Sequence, residues 1–395
     1  MEGINDKVAI VGMGCTKFGE NWGKDGDDLI VEAVYEALEN AGIELKDIQA
    51  AWIGTRFTGR TGLCLSAPLR LQYIPVTRVE NLCASGTEAI RAATYAVAAG
   101  ACDIALAVGV EKLKDSGIVG LPPNPNQISP IAEYNFAPAK YSYLAMRYFK
   151  HYNIDTHEGK GLLAQIAVKN HHNGNLAPKA HFHQEITVEQ AVNAPIVSWP
   201  LGLFDCCGVS DGAAAAIVTR ADIARSFRED PIYIKALAVC AGPRDGSVST
   251  NYDFTHIGEN VHAGEMAYAQ AGIKDPLKEL SLAEVHDCFT ITEMVIYEDL
   301  KWCPRGRAKE YIEDGTFTLK GELPVNTDGG LKCFGHPIGA SGLRMLYEVY
   351  TQLQGRAGPR QVDNPKLGLT HNLGGAPGGG VASVCIVGNQ VTGSI

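Results

Sequence analysis

Residues 79–109 narrow the possible folds more than any other stretch. An extended approach, Ile74-Pro75-Val76-Thr77-Arg78-Val79-Glu80, leads to Cys83, and residues 86–100 then form a helix built almost wholly of small side chains. Directly after it, Asp103-Ile104-Ala105-Leu106-Ala107-Val108-Gly109 is a strand with no polar alternation. Such a strand belongs in a sheet covered on both faces. A helix of small residues must be approached closely from several sides, so Cys83 is placed at the buried N-terminus of a central helix. The unpaired N–H groups and positive end of a helix favour thiolate, so the position predicts a lowered pKa and a nucleophilic sulfur. A small buried thiol serving only as packing is the alternative.

The flanking sequence is α/β in character. Lys7-Val8-Ala9-Ile10-Val11-Gly12 reads as a short strand, followed by an amphipathic helix from about Asp27 to Leu38 and a strand at residues 51–54. Gly12 and Gly14 fit a dinucleotide fingerprint poorly, because the next glycine falls at the wrong spacing. From about Lys114 to Ser198 the texture changes. Pro122-Pro123-Asn124-Pro125-Asn126 and many tyrosines mark an inserted cap, with helices expected near 141–149 and 161–170. Strands return at 213–219 and 232–239, and the remainder echoes the first half, which predicts a duplicated α/β unit. The expected organisation is an N-terminal half (1–113), an inserted cap (114–200), the end of the first half (201–230) and a C-terminal half (231–395).

Composition removes several classes of function. A formal net charge of -10 gives no basic stripe for nucleic acid. No run of apolar residues is long enough for a bilayer, and the N-terminus lacks a signal peptide, so a cytoplasmic protein without membrane attachment is expected. Eleven cysteines without a secretory signal point to free thiols. No Cys-x-x-Cys pair occurs, and no metal site is expected. His171-His172 and His181-Phe182-His183 read as a solvated loop.

Four segments together resemble the thiolase family, in particular the sterol-carrier-protein type and its bacterial and archaeal relatives: VAIVGMGCTKFG, NLCASGTEAI, HDCFTITE and NTDGGLKCFGHPIGASG. The resemblance spans the chain and implies a five-layered αβαβα fold of two duplicated halves with an inserted loop domain. It further implies thiolysis of a 3-oxoacyl-CoA by coenzyme A, or the reverse Claisen condensation, by a ping-pong route. Cys83 would carry the acyl group as a thioester, His336 would take its proton, His286 would donate to the oxyanion or enolate, and Cys288 would be the second acid/base. The chain departs from most thiolases in lacking a C-terminal Cys-x-Gly; residues 371–380 hold no cysteine. Gly374, Gly375 and Gly339 would bind the thioester, with coenzyme A as co-substrate and no tightly bound cofactor.

Cleaving a carbon–carbon bond beside a ketone needs a nucleophile, donors for the developing oxyanion and an acid for the departing carbanion, and these residue types supply all three. For the anionic end of coenzyme A, Lys140, Arg147 and Lys169 are candidates by composition alone. The cap's tyrosines with Phe136 and Phe149 would accommodate an aromatic acyl group, such as that of benzoylsuccinyl-CoA. His371 reads as structural. The resemblance implies a homodimer and, in this subgroup, a small companion subunit with a zinc ribbon and an OB-like domain. Two alternatives use the same residues: a condensing acyltransferase related to 3-hydroxy-3-methylglutaryl-CoA synthase, and a non-catalytic acyl-CoA-binding or scaffold subunit.

Overall fold

A computed structural model describes residues 3–116, 137–248 and 251–392. The first half runs β1 (Val8–Cys15), α1 (Gly26–Ala41), β2 (Ala50–Gly54), α2 (Leu63–Leu69), β3 (Val76–Val79), α3 (Ser85–Ala98) and β4 (Ile104–Glu111). The insertion holds α4 (Ala137–His151), α5 (Thr156–Asn175), α6 (Val188–Val192), β5 (Ile196–Ser198) and β6 (Leu201–Gly202), after which β7 (Gly212–Arg220) closes the half. The second half runs β8 (Ile232–Ala241), α7 (Asp245–Val248), α8 (Gly258–Ala271), α9 (Pro276–Glu279), β9 (Leu282–Glu284), α10 (Thr290–Asp299), α11 (Ala308–Glu313), α12 (Gly330–Cys333), α13 (Ser341–Leu353), β10 (Leu367–Ala376) and β11 (Gly379–Gly388). Pro122–Asn126 and Phe136 lie outside the described residues. No helix among the described residues is long and apolar enough to cross a membrane.

Nine strands hydrogen-bond in the order β3-β2-β4-β7-β1-β8-β11-β10-β9. Within the sheet, the two halves join where Ala9 and Ile10 of β1 pair with Tyr233 and Ile232 of β8. Outward from that seam the pairings repeat. β1 with β7 and β8 with β11 are antiparallel, as are β7 with β4 and β11 with β10. β4 with β2 and β10 with β9 are parallel. Even β3 has a counterpart, since Val325 bridges Ala283 in parallel as β3 does β2.

The layers follow from what each helix buries. α1 packs on β1, β7 and β4, while α8 packs on β8 and β11. α3 and α13 touch each other, α3 lying on β2, β4 and β7 and α13 reaching strands of both halves. These two helices form the middle of five layers. One core cluster is shared between them, with Ala89, Ile90 and Ala93 of α3 beside Leu343, Leu346 and Val349 of α13. In the cap, Tyr141, Leu144 and Tyr148 of α4 join the core of the second half.

Two local expectations are corrected, and the glycine-rich stretch near the C-terminus takes a definite form. β1 runs on to Cys15 because Gly12 and Gly14 let α1 lie directly on the strand: a Cβ at either would stand 2.3 Å from Ala37 O or 2.1 Å from Ala33 O. His171 and His172 belong to α5, not to a loop. His171 is buried, its Nδ1 lies 2.9 Å from Gln184 O, and its ring meets Phe204 edge-on. Finally, residues 374–380 form a hairpin between β10 and β11, with Gly378 at φ 70° after Pro377, as a tight Pro–Gly turn requires.

Candidate active site

The N-terminal ends of α3 and α13 meet at the centre of the molecule, and glycines make the meeting possible. A Cβ on Gly86 would stand 2.7 Å from Gly339 O, and one on Gly342 would stand 2.4 Å from Thr87 Oγ1. Just before α3, Leu82 holds a left-handed φ of 52°, a conformation that is uncommon outside glycine. The turn is locked by Ser85, whose Oγ accepts from Asn81 N (2.9 Å) and donates to Leu82 O (2.6 Å). Cys83 is thereby presented at the head of the helix.

His286 and Cys288 come from the segment between β9 and α10. Asp287 between them turns the other way and accepts from Leu331 N (2.6 Å), Lys332 N (3.3 Å) and Asn170 Nδ2 (2.8 Å), which fixes the segment against α12 and α5. His336 lies between Gly335, at φ 113°, and Pro337 at the approach to α13. The Cys83 Sγ and a ring nitrogen from each of His286 and His336 lie within 4.8 Å of one another, all three buried. The two imidazoles meet edge to face with centroids 5.1 Å apart. Cys288 is buried beside them, its Sγ 3.8 Å from Thr292 Oγ1 one turn into α10.

Hydrogen bonding fixes the tautomer of His336. Ser341 Oγ donates to Pro337 O (2.9 Å), so its oxygen accepts from His336 Nδ1 at 2.7 Å. Nε2 is left as the acceptor, buried and without a partner among the described residues. Burial, reinforced by the Arg344 charge, pushes the His336 pKa down to about 3. Burial also drives His286 well below its ordinary value, with the neighbouring His336, His371 and Arg344 acting in the same direction.

Cys83 contradicts the sequence expectation. Burial pushes its pKa up to about 12, and the Arg56 charge and the Gly375 N–H only partly offset this. The helix end is outweighed because the sulfur has been taken out of water. Cys288 is likewise raised well above its ordinary value, first by burial and then by the neighbouring Cys207 and Cys83. The resting set is two thiols and two neutral imidazoles.

The glycines divide. Gly375 lies at φ 109° with its N–H bonded to the Cys83 sulfur. Gly374 backs the nucleophile turn, where a Cβ would stand 2.6 Å from Asn81 O. Gly339 has a different place: its N–H donates to Glu111 Oε2 (3.2 Å), so it supplies no donor to a ligand. Lys169 is likewise removed from ligand binding, held by Glu293 at 2.8 Å and donating to Val325 O at 2.7 Å. Arg147 donates to Asp253 O (3.0 Å) at the surface, and Lys140 is half-buried near Arg244.

Two residues were missed. Glu111 is fully buried at the end of β4 and accepts from Thr55 Oγ1, the Arg56, Phe57 and Thr58 N–H groups and Gly339 N, tying the turn after β2 to the approach of α13. An acid ending a wholly apolar strand was its signal. Tyr141 donates to Gly375 O (3.3 Å) and stacks on Phe289 with centroids 4.5 Å apart. Nothing in the sequence separated it from the cap's other tyrosines. A surface cleft of about 330 Å³ lined by Gln165, Val168, His172, Phe317 and Leu319 contains none of Cys83, His286, Cys288 and His336.

Residues 8–222 match the N-terminal domain of thiolase, and residues 242–388 match the thiolase C-terminal domain-like family. The chain belongs to the thiolase family. It is 38% identical over 392 residues to an acetyl-CoA acetyltransferase of Methanothermobacter thermautotrophicus, covering 96% of this chain and 98% of that protein. It is 32% identical to the benzoylsuccinyl-CoA thiolase subunit BbsB of Thauera aromatica, covering 94% of this chain and 96% of that one. Among solved structures, an Ltp2-ChsH2(DUF35) aldolase superposes with a TM-score of 0.83 at 25% identity, over 98% of each chain. As a member of the thiolase family, the chain is an acyltransferase.

Proposed function

We propose that the chain cleaves a 3-oxoacyl-CoA with coenzyme A, and catalyses the reverse condensation, through an acyl thioester on Cys83. The observation that carries this reading is the gathering of Cys83, His286 and His336 donor atoms within 4.8 Å in a buried site. Cys83 Sγ attacks the 3-carbonyl carbon while His336 Nε2 takes its proton. The alkoxide collapses, the C2–C3 bond breaks, and the acyl group stays on sulfur. His286 donates to the oxygen that becomes negative, and Cys288 gives its proton to C2, releasing the acyl-CoA that carries C1 and C2. In the second half-reaction coenzyme A yields its thiol proton to Cys288 and attacks the thioester. Cys83 leaves as thiolate and recovers its proton from His336.

A neutral base and a neutral thiol suit this route, because the charge pair forms only as the sulfur attacks. The stacked Tyr141 and Phe289 beside Cys288 favour an aromatic acyl group, in line with the named activity of the Thauera relative. Two assembly states belong to the same reading. β3 is an open sheet edge, and the neighbouring β2–β3 connection exposes Phe57, Leu63 and Tyr73, which favours a homodimer through the first half. The structural neighbour carries a DUF35 component in its name, which favours a companion subunit.

The test is intact-protein mass spectrometry after exposure to aliphatic and aromatic 3-oxoacyl-CoAs, for wild type and Cys83→Ala. An adduct that requires Cys83 and disappears on adding coenzyme A is expected. Identical adducts on Cys83→Ala would remove the assignment, and acylation by aliphatic substrates alone would remove the aromatic one.

A further inference from the structure

Cys83, His286 and His336 are far apart in the chain, and no spacing among them reads as a chelating motif. The fold nevertheless gathers one Sγ and two ring nitrogens within 4.8 Å of one another, all three residues buried. A thiolate with two imidazoles is a donor set that suits zinc(II), whereas magnesium and calcium take oxygen. Around one zinc ion such donors stand roughly 3.3–3.8 Å apart, so rotation about the side-chain bonds has at most about 1.5 Å to close.

The ring nitrogens themselves call for a ligand. His336 Nε2 and His286 Nδ1 are buried without a partner among the described residues, and buried polar atoms left in that state are rare enough to need a reason. Ser341 Oγ accepts the Nδ1 proton of His336 at 2.7 Å and leaves Nε2 with the lone pair, the arrangement that orients a metal-ligating histidine. No hydrogen bond pins the His286 proton to Nδ1. The Arg344 charge acts on both imidazoles, but Glu284 and Asp328 each hold that guanidinium at 2.7 Å, so the cluster does not face an unpaired cation. Cys83 keeps 8% of its surface exposed, against 1% for His286 and 3% for His336, which leaves an approach at the sulfur-bearing residue.

We propose that Cys83, His286 and His336 together bind one zinc(II) ion, and that the bound ion shuts the site. On binding, the Cys83 S–H bond breaks and an S–Zn bond forms, the proton passing to solvent with no change of oxidation state. Each imidazole gives a lone pair, and three protein donors leave the fourth position of a tetrahedral shell to water. The chelation stands on the geometry of the three side chains. The shut-off rests on the reading of Cys83 as acyl carrier, because a sulfur and an imidazole committed to zinc can neither attack a carbonyl nor take a proton. A chelator that removes the ion lets the sulfur regain its proton from water, so the inhibition is reversible.

The experiment titrates metal-free, untagged protein with cobalt(II), whose bond to a thiolate absorbs in the near ultraviolet, and then adds zinc(II) in competition. Wild type is expected to take up one equivalent of cobalt with the thiolate band present, and to lose the band to zinc. Cys83→Ala should abolish the band, while Cys206→Ser and Cys207→Ser leave it unchanged. Ser341→Ala should weaken uptake on the order of 10- to 100-fold by freeing the His336 ring, and His336→Ala by more. Absence of the band in wild type overturns the proposal whether or not any variant folds, and so does a band that survives in Cys83→Ala or follows Cys206 or Cys207. In a thiolysis assay zinc should inhibit and EDTA restore the rate; full activity with the site filled overturns the shut-off. A metal-free chain that binds cobalt through Cys83 but thiolyses no 3-oxoacyl-CoA sinks the reading of Cys83 as acyl carrier and leaves the metal site standing, whereas thiolysis without cobalt binding sinks the metal site alone.

Discussion

With the Cys83 thiol pushed up to about 12 and the His336 imidazole down to about 3, neither group is charged at neutral pH, and in the proposed thiolysis proton transfer must accompany attack. Ser341 matters here because it holds the Nδ1 proton and keeps Nε2 aimed as a base. His286 lies beside His336, its donor atom within 4.8 Å of the same sulfur, with an imidazole that is also neutral, and a neutral ring keeps one N–H to donate. Removing one such donor typically costs about 3 kcal/mol of transition-state stabilisation. His286→Ala is therefore expected to lower kcat on the order of a hundredfold or more, with a smaller effect on KM, in a steady-state thiolysis assay. A loss below tenfold would mean that the oxyanion is held by other groups.

The turn that presents Cys83 depends on an element remote in sequence. Gly374 of β10 lies against it so closely that a Cβ would stand 2.6 Å from Asn81 O, 2.7 Å from Leu82 Cβ and 3.0 Å from Cys83 N. Two of these neighbours are backbone atoms, and Leu82 already holds a left-handed φ, so the turn has little freedom to yield. Gly374→Ala should cost about 1–3 kcal/mol in urea denaturation and displace the sulfur enough to lower kcat about a hundredfold. Wild-type kcat in a folded variant would show that the strand does not set the position of Cys83. At this scale the small residues of α3 and the apolar run of β4 made the central helix legible, because both patterns allow few other environments. The extent of β1 was not legible. Gly12 and Gly14 look like breakers until α1 is seen lying on them, and the same holds for the glycines of the β10–β11 hairpin. His171 was misread because polarity alone cannot reveal a partner such as Gln184 O.

Across the whole molecule, burial of ionisable groups is the dominant electrostatic fact, and it was visible in the sequence only as an apolar composition. His371 is a clear case: it is fully buried, its Nε2 meets Asn260 Oδ1 at 2.9 Å, and burial takes its pKa from 6.5 to about 3. The unfolded chain then binds a proton that the folded one refuses. The stabilising effect is complete above pH 6.5 and is lost as pH falls towards 3, by up to about 1.4 kcal/mol per pH unit. Buried acids such as Asp287, raised to about 7 chiefly by burial, act in the opposite sense, so total stability is the wrong measurement. The stability difference between wild type and His371→Gln isolates the effect. It should shrink between pH 7 and pH 5 in urea titrations, and a constant difference would mean that His371 takes up its proton at the same pH in the folded and unfolded chains. The shared middle layer has one more consequence. Cys83 belongs to the first copy of the duplicated unit, while both histidines and Cys288 belong to the second. During synthesis the sulfur leaves the ribosome long before His336 is made, so the growing chain carries the thiol without its proposed base. On the proposed reading, the couple of Cys83 and His336 comes into being only once the second half has been made and the two halves have closed on α3 and α13.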